Sequence, residues 1–208
     1  MTRARDISNV ITDADLAGNL DVDGTTNLDA VDIDGAVDIA GNLSVDGGTI
    51  KLDGNYPTGT SNVALGDTAL DSLTSGGYSV AIGNAALTAM TSGNDNVAVG
   101  QIAMTATTTG SANVAIGQNC MQVNTSGGSN TAVGALALDA NTTASNNTAI
   151  GYSSLGSNTE GTANVAVGKS ALTANTTASH NTAIGFESME ATTTGTQNTA
   201  VGRKSLEA

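Results

Sequence analysis

Asn113-Val-Ala-Ile-Gly117, followed by Gln-Asn-Cys120-Met121, is the stretch that decides how this chain folds. The five-residue word that opens it returns along most of the sequence, for example as Asn62-Val-Ala-Leu-Gly66 and Asn198-Thr-Ala-Val-Gly202. We number the closing glycine of each word position 0 of a repeat and the residues after it positions 1 to 16. These glycines recur every 17 residues without an insertion, at Gly66, Gly83, Gly100, Gly117, Gly134, Gly151, Gly168, Gly185 and Gly202.

Other positions of the repeat are nearly as constant as the glycine. Position 3 is always Ala, Ser or Cys, position 4 is always Leu or Met, and position 10 is usually a second glycine. Position 13, which opens the word, is Asn in eight copies and Ser79 in the other. Helix-pair repeats need about 33–47 residues and leucine-rich repeats about 20 or more, so a period of 17 favours a coil of a β-solenoid.

The word itself has the alternation of a β-strand. Positions 14 and 16 are Val, Thr, Ile or Leu and point one way, while Ala at position 15 points the other way. We expect two short strands and two turns in each coil, with the Leu/Met and β-branched columns filling the inside. Glycine at positions 0 and 10 is expected to supply positive φ at the corners. The Asn column is expected to form an amide ladder, each side chain bonding the one above.

A single stack of such coils has little apolar material with which to stabilise itself. Each coil offers about three large apolar side chains, each contributing at most ~2–3 kcal/mol, whereas fixing a residue costs on the order of 1–2 kcal/mol. We therefore expect a homotrimer on a shared axis, with the small residues at positions 3 and 15 allowing sister chains to approach closely.

The word and the Leu/Met that follows it resemble the head repeats of trimeric autotransporter adhesins, the YadA-like family. The 17-residue form, as in Asn181-Thr-Ala-Ile-Gly185, is more similar to repeats of bacteriophage tail-fibre and appendage proteins. The resemblance covers residues 61–208 and implies a left-handed parallel β-roll, three chains side by side, and a role in adhesion or host contact.

Two rival functions within this picture are separated by export signals. The adhesins carry a secretory signal and a membrane anchor, whereas MTRARDISNVITDADLAG at the N-terminus lacks the apolar core of a signal peptide. No stretch approaches the 18 apolar residues of a membrane span. The sequence therefore favours a phage fibre located in the virion, with a bacterial adhesin head as the alternative.

The chain divides into three predicted regions. Residues 1–19 are interpreted as an attachment arm that binds other virion proteins, and residues 20–60 as a short-strand β-shaft. Residues 61–208 form the β-roll of nine 17-residue coils. Because the sequence ends inside the ninth coil and solenoid ends need caps, a longer precursor is expected.

Charge and motifs indicate few ligands. The net charge of −13 argues against nucleic acid and anionic membrane surfaces as partners. Asn19-x-Asp21-x-Asp23 copies the opening of a calcium-binding loop, but Ala30 stands where the bidentate Glu belongs. We therefore expect neither a metal nor a cofactor, and interpret the aspartates as a solvated face.

No catalytic constellation is evident, and the sequence does not predict an enzyme. His180 is the lone histidine and is expected on the surface, while Cys120 replaces Ala in a packed column. The carboxylates needed for a glycosidase do not recur at one column by this interpretation. An ice-binding solenoid is suggested by Thr107-Thr108-Thr109, but segments 122–125 and 157–160 are interpreted as interrupting the threonine array.

Positions 1 and 2 vary freely while their neighbours stay constant, and we expect both to face solvent. All basic residues after Lys51 lie at these two positions. Position 1 is the candidate receptor-facing column, and the alternative is simply a turn that tolerates any residue. The candidate residues are Gln101, Gln118, Tyr152, Lys169, Phe186 and Arg203.

Overall fold

A computed structural model describes residues 60–206 of the chain. The expected attachment arm, the β-shaft up to residue 59 and the calcium-like motif lie outside the described residues, as do residues 207–208.

One short strand forms in each repeat, at the three middle residues of the word. The strands pair in parallel and in chain order within a single nine-stranded sheet, and every partner lies 17 residues away, as Ala115 does from Ala132. An all-β parallel solenoid is thus confirmed, with eight turns joining nine strands. The strands are β1 Val63–Leu65, β2 Val80–Ile82, β3 Val97–Val99, β4 Val114–Ile116, β5 Thr131–Val133, β6 Thr148–Ile150, β7 Val165–Val167, β8 Thr182–Ile184 and β9 Thr199–Val201.

The prediction of a second strand in each coil is wrong. Positions 2, 4 and 12 adopt φ of 52–63° in every copy, a left-handed conformation that ends an extended segment. The turns between the strands are nevertheless bonded from coil to coil. The backbone N–H of Leu87 donates to the carbonyl of Ala103 at 3.1 Å, and that of Ala89 donates to Thr105 at 3.1 Å. Within residues 60–206 there is no helix, and hence none that would cross a membrane.

Position 4 shows how backbone conformation selects the core residue. Its φ lies between 52° and 55° in all nine copies, and a β-branched side chain is strongly disfavoured there. Leu and Met are large, apolar and unbranched at Cβ, so they fill the core without that strain. They are fully or almost fully buried except Leu206 in the last turn, which is 56% exposed.

The strands face the opposite way from the expectation. From Ala81 onward alanine at position 15 is buried, as at Ala115 and Ala132, whereas the larger residues at positions 14 and 16 lie on the outside, half-buried or exposed. From the strand only methyl groups enter the core cluster, where they meet the long Leu/Met side chains, which indicates a narrow coil. The most exposed members of position 16 are Leu65 49%, Ile82 37%, Ile116 40%, Ile150 39%, Ile184 40% and Val201 67%.

Contrary to the expectation, the small residues at positions 3 and 15 therefore do not form a surface for sister chains. Ala103 and Cys120 at position 3 have no exposed surface and pack in the same core cluster as Ala115. Their small size serves the thin interior of their own coil, and any contact between chains must use another face.

The two glycine positions serve different purposes. Glycine at position 0 has φ of 128–139°, and a Cβ on Gly134 would lie 2.5 Å from the carbonyl oxygen of Gly151 in the next coil. Glycine at position 10 does not have the positive φ that was expected. At Gly93 the constraint is space, since a Cβ there would collide with the carbonyl oxygen of Gly110, whereas two coils accommodate alanine at this position, Ala144 and Ala178.

The amide ladder at position 13 is present, but it is tied mainly to the backbone. Asn130 accepts a hydrogen bond at Oδ1 from the backbone N–H of Asn147 at 2.9 Å, and its Nδ2 donates to the carbonyl of Ala144 at 2.9 Å. Direct bonds between side chains, at 3.2 Å, join only some neighbours, such as Asn130 to Asn113. Each asparagine of this column from Asn62 to Asn181 therefore connects the backbones of successive coils.

Candidate functional site

The six candidate residues form one line along the solenoid. Each follows a position-0 glycine, and because these glycines are stacked in register, the side chains after them are also stacked. Tyr152 is 51% and Phe186 37% exposed, and the other four are exposed as well. The expected exposure of position 1 is thus confirmed for every candidate. Position 2 differs, because it is half-buried in every copy except Thr68.

The N-terminal half of the position-1 column is polar and weakly coupled. Asn84 donates to the carboxylate of Asp67 at 3.4 Å, and Gln118 donates to the side-chain carbonyl of Gln101 at 3.4 Å. These bonds are long and exposed, so they contribute little to holding the side chains in place. Ala135 then interrupts the column.

The C-terminal half alternates aromatic and cationic side chains. The ring centre of Phe186 lies 5.5 Å from Nζ of Lys169 and 5.6 Å from Cζ of Arg203, so two cations flank one ring. Both distances are within the range of a cation–π interaction. Lys204, at position 2, instead forms an ion pair of 3.1 Å with Glu187, the one ion pair within residues 60–206. We call Tyr152, Lys169, Phe186 and Arg203 the basic ridge.

The only histidine and the only cysteine of the chain do not form a reactive site. His180 is exposed, as expected. Cys120 is buried, its Sγ donates to the carbonyl of Ala132 at 3.3 Å, and burial raises the pKa of its thiol to about 12. The thiol is therefore protonated at neutral pH and is a weak nucleophile.

Three carboxylates do share a column, contrary to the expectation. Asp71, Asp139 and Glu190 all stand at position 5. They lie four and three coils apart, which is about 19 and 14 Å on the spacing of adjacent strands, whereas a glycosidase pair is separated by about 5–9.5 Å. Burial raises the pKa of Asp139. Within residues 60–206 there is neither a pocket nor a group of three His, Cys, Asp or Glu suited to a metal ion.

Threonine at position 8 is uninterrupted, which corrects the sequence-based interpretation. Segments 122–125 and 157–160 contain Thr125 and Thr159 at this position. From Thr74 to Thr159 each hydroxyl donates to the carbonyl of the threonine in the next coil, at 2.8–3.3 Å. These hydroxyl protons therefore stabilise the stacking of coils. The column comprises Thr74, Thr91, Thr108, Thr125, Thr142, Thr159, Thr176 and Thr193.

No protein-family model, curated protein or solved structure matches this chain. The class of protein is accordingly defined by its own architecture. It is a parallel β-solenoid repeat protein with an apolar outer strand face and a variable column at the adjoining turn.

Proposed function

We propose that this chain is a rod-forming structural protein of a bacteriophage fibre, with three copies side by side. The N-terminal region attaches to other virion proteins, and the solenoid, a left-handed β-roll by its resemblance to YadA-like heads, holds a host-contacting surface away from the particle. The rival, a bacterial adhesin head, uses the same rod on a cell surface.

The observation that carries the proposal is the composition of the outer strand face, which consists of positions 14 and 16. All eighteen of its positions are Val, Thr, Ile or Leu, and none is charged. The charged residues of the described range stand at positions 1, 2, 5, 9 and 12 instead. Exposed apolar patches on soluble proteins often mark interaction sites, and fourteen of these eighteen positions are Val, Ile or Leu, which favours a partner on this face.

A second copy of the same chain matches this face geometrically. Nine strands in register extend over roughly 38 Å at the spacing of adjacent strands, and every copy carries apolar side chains at that same spacing. Chains aligned in parallel can therefore pack strand face against strand face, rung by rung. Three copies around one axis cover three such faces in a closed arrangement.

Oligomeric state tests the assembly. Lysine at both Ile116 and Ile150 places two charges in the centre of the outer strand face, so the double variant is expected to sediment as a monomer in analytical ultracentrifugation. Circular dichroism should still report β-structure. The control, Q101K/Q118K, adds two lysines at position 1, on the turn that follows the strand and outside the strand face. This variant should remain trimeric. A monomeric wild-type chain contradicts the proposal.

The location of the protein tests whether it is part of a phage fibre. Antibodies against residues 61–208 are expected to label appendages of phage particles in electron micrographs of a lysed culture. Label found only on the envelope of intact cells would instead favour the adhesin.

A further inference from the structure

We propose that the basic ridge binds a linear acidic polysaccharide, through its carboxylate or sulfate groups and its sugar rings. The inference rests on the proposed function in one respect, because it names the class of host ligand that the rod contacts. It assigns that contact to the C-terminal part of the position-1 column rather than to the whole column.

Charge is the first argument for this placement. The chain carries a net charge of −13, yet the three basic residues of the described range, Lys169, Arg203 and Lys204, fall in its last three coils. Glu187 pairs with Lys204, whereas neither Lys169 nor Arg203 has a carboxylate within ion-pair distance among residues 60–206. Their positive charges are therefore available to an anionic ligand.

Preorganisation is the second argument. Phe186 stands between Lys169 and Arg203 at 5.5 and 5.6 Å and restricts both cationic groups. An exposed cation–π contact contributes about 0.5–1 kcal/mol. Side chains that are already restrained lose less entropy when a ligand binds. Arg203 can then bind a carboxylate or sulfate through two parallel N–H groups.

The shape of the ridge points to a linear polymer. Lys169 and Arg203 are two coils apart, about 9.6 Å along the axis on the spacing of parallel strands, so a chain lying along the rod meets them with anionic groups on alternate units. The exposed rings of Tyr152 and Phe186 offer an apolar body to sugar faces. Within residues 60–206 no pocket is present that would enclose a small ligand.

A nucleic acid is a poorer fit than a polysaccharide. Every nucleotide carries a phosphate, and binding of such a polymer depends on neutralising many charges. The ridge supplies two unpaired cations on a strongly acidic protein, which suits a sparsely charged chain.

The test uses the full-length assembled protein and immobilised polysaccharides in biolayer interferometry. Polygalacturonate supplies carboxylates, dextran sulfate supplies sulfates, dextran is the neutral control, and poly(dT) is the nucleic-acid control. We expect binding to one or both acidic polysaccharides, weakened by added salt, and none to dextran. Comparing the two acidic polymers shows which anionic group is preferred.

Variants locate the binding. K169Q/R203Q is expected to weaken the affinity about tenfold or more. F186A is expected to weaken it about threefold, whereas F186Y keeps an aromatic ring and should retain wild-type affinity. The control Q101A/Q118A, in the same column, should bind as the wild type does. Sedimentation should not change in any of these variants, so failure of the ligand assignment is distinguishable from failure of the rod.

Four results would overturn the assignment. They are equal binding to dextran, binding to poly(dT) as tight as to the acidic polysaccharides, affinity that K169Q/R203Q leaves unchanged, and binding to neither of the two acidic polymers.

Discussion

Two columns of buried amides run along the same core and form different patterns of hydrogen bonds. The position-13 column is Asn in every described copy but Ser79, and its Oδ1 atoms accept backbone N–H groups of the next coil, as from Asn147 to Asn130 at 2.9 Å. The position-7 column holds Asn only in four consecutive coils, from Asn124 to Asn175. There the amides bond each other at 2.8–3.2 Å, as Asn141 does to Asn124. The position-13 amides therefore bond mainly to the backbone, whereas the position-7 amides divide their bonds between one another and backbone carbonyls.

The two columns meet at one carbonyl in each of four coils. The carbonyl oxygen of Gly127 accepts from Asn113 of the position-13 column at 2.9 Å and from Asn124 of the position-7 column at 3.1 Å. Where position 7 is not Asn, as at Thr107, the position-13 amide still bonds that carbonyl, from Asn96 to Gly110 at 2.8 Å. The position-7 amide is therefore the replaceable partner.

The ends of the position-7 column show the cost of a partial ladder. Leu73 and Met90 occupy its first two places, Thr107 the third, and Thr192 the last. The buried Oγ1 of Thr107 and Oδ1 of Asn175 have no hydrogen-bond partner within the described residues. A buried polar atom without a partner is unfavourable. The amides within this ladder bond to one another, but polar atoms at its two ends lack a hydrogen-bond partner.

Breaking the position-13 column should have the largest effect. Asn130→Leu leaves the buried backbone N–H of Asn147 without an acceptor and removes the bond to Ala144. We expect the free energy of unfolding to fall by about 3 kcal/mol. Guanidinium unfolding followed by circular dichroism, at fixed protein concentration, measures it. Asn84→Leu on the surface is the control, and an equal loss there would refute the explanation.

A single break in the position-7 column should cost less. Asn141→Leu leaves Oδ1 of Asn124 unpaired and removes one of the two donors to Ala144, so we expect a loss of about 1–2 kcal/mol in the same assay. A loss of unfolding free energy as large as that of Asn130→Leu would mean that the different hydrogen-bond patterns of the two columns do not affect stability.

Removing the whole position-7 ladder should cost less than breaking it once. Leucine at Asn124, Asn141, Asn158 and Asn175 together leaves no broken pairs and extends the apolar column that Leu73 and Met90 begin. Replacing both partners of a buried hydrogen bond is nearly neutral, so we expect a change below about 1 kcal/mol in either direction. A quadruple variant four times worse than Asn141→Leu would show that each amide acts independently.

Completing the position-13 column should give the smallest effect. The hydroxyl of Ser79 accepts from the backbone N–H of Asn96 at 3.2 Å but donates to Gly77 instead of to the next coil. Ser79→Asn adds a donor for the carbonyl of Gly93, and we expect a gain of about 0.5 kcal/mol. A decrease in the unfolding midpoint would mean that this coil has no room for the amide.

Some of these features were readable from the sequence, and others were not. The constant spacing of glycine predicted the register, and the recurrence of asparagine at position 13 in eight of nine copies predicted a structural ladder. The position-7 ladder left a signal, since Asn-Thr recurs at 124, 141, 158 and 175. The varied residues at the column's two ends concealed it. Of the candidate site, the exposure of position 1 was predictable. The stacking of two cations on Phe186 required the coils to be superimposed.

The sequence by itself determined the 17-residue period, the parallel register and the residues that share each column, because a repeat without insertions can stack in register. Only the tertiary structure decided which side of each strand faces the interior. Alternation separates the alanine side from the β-branched side but does not say which is inside; that depends on the width of the closed coil. Because the opposing Leu/Met column, held in a left-handed backbone conformation, already fills that width, the methyl groups turn inward and the branched side chains turn out.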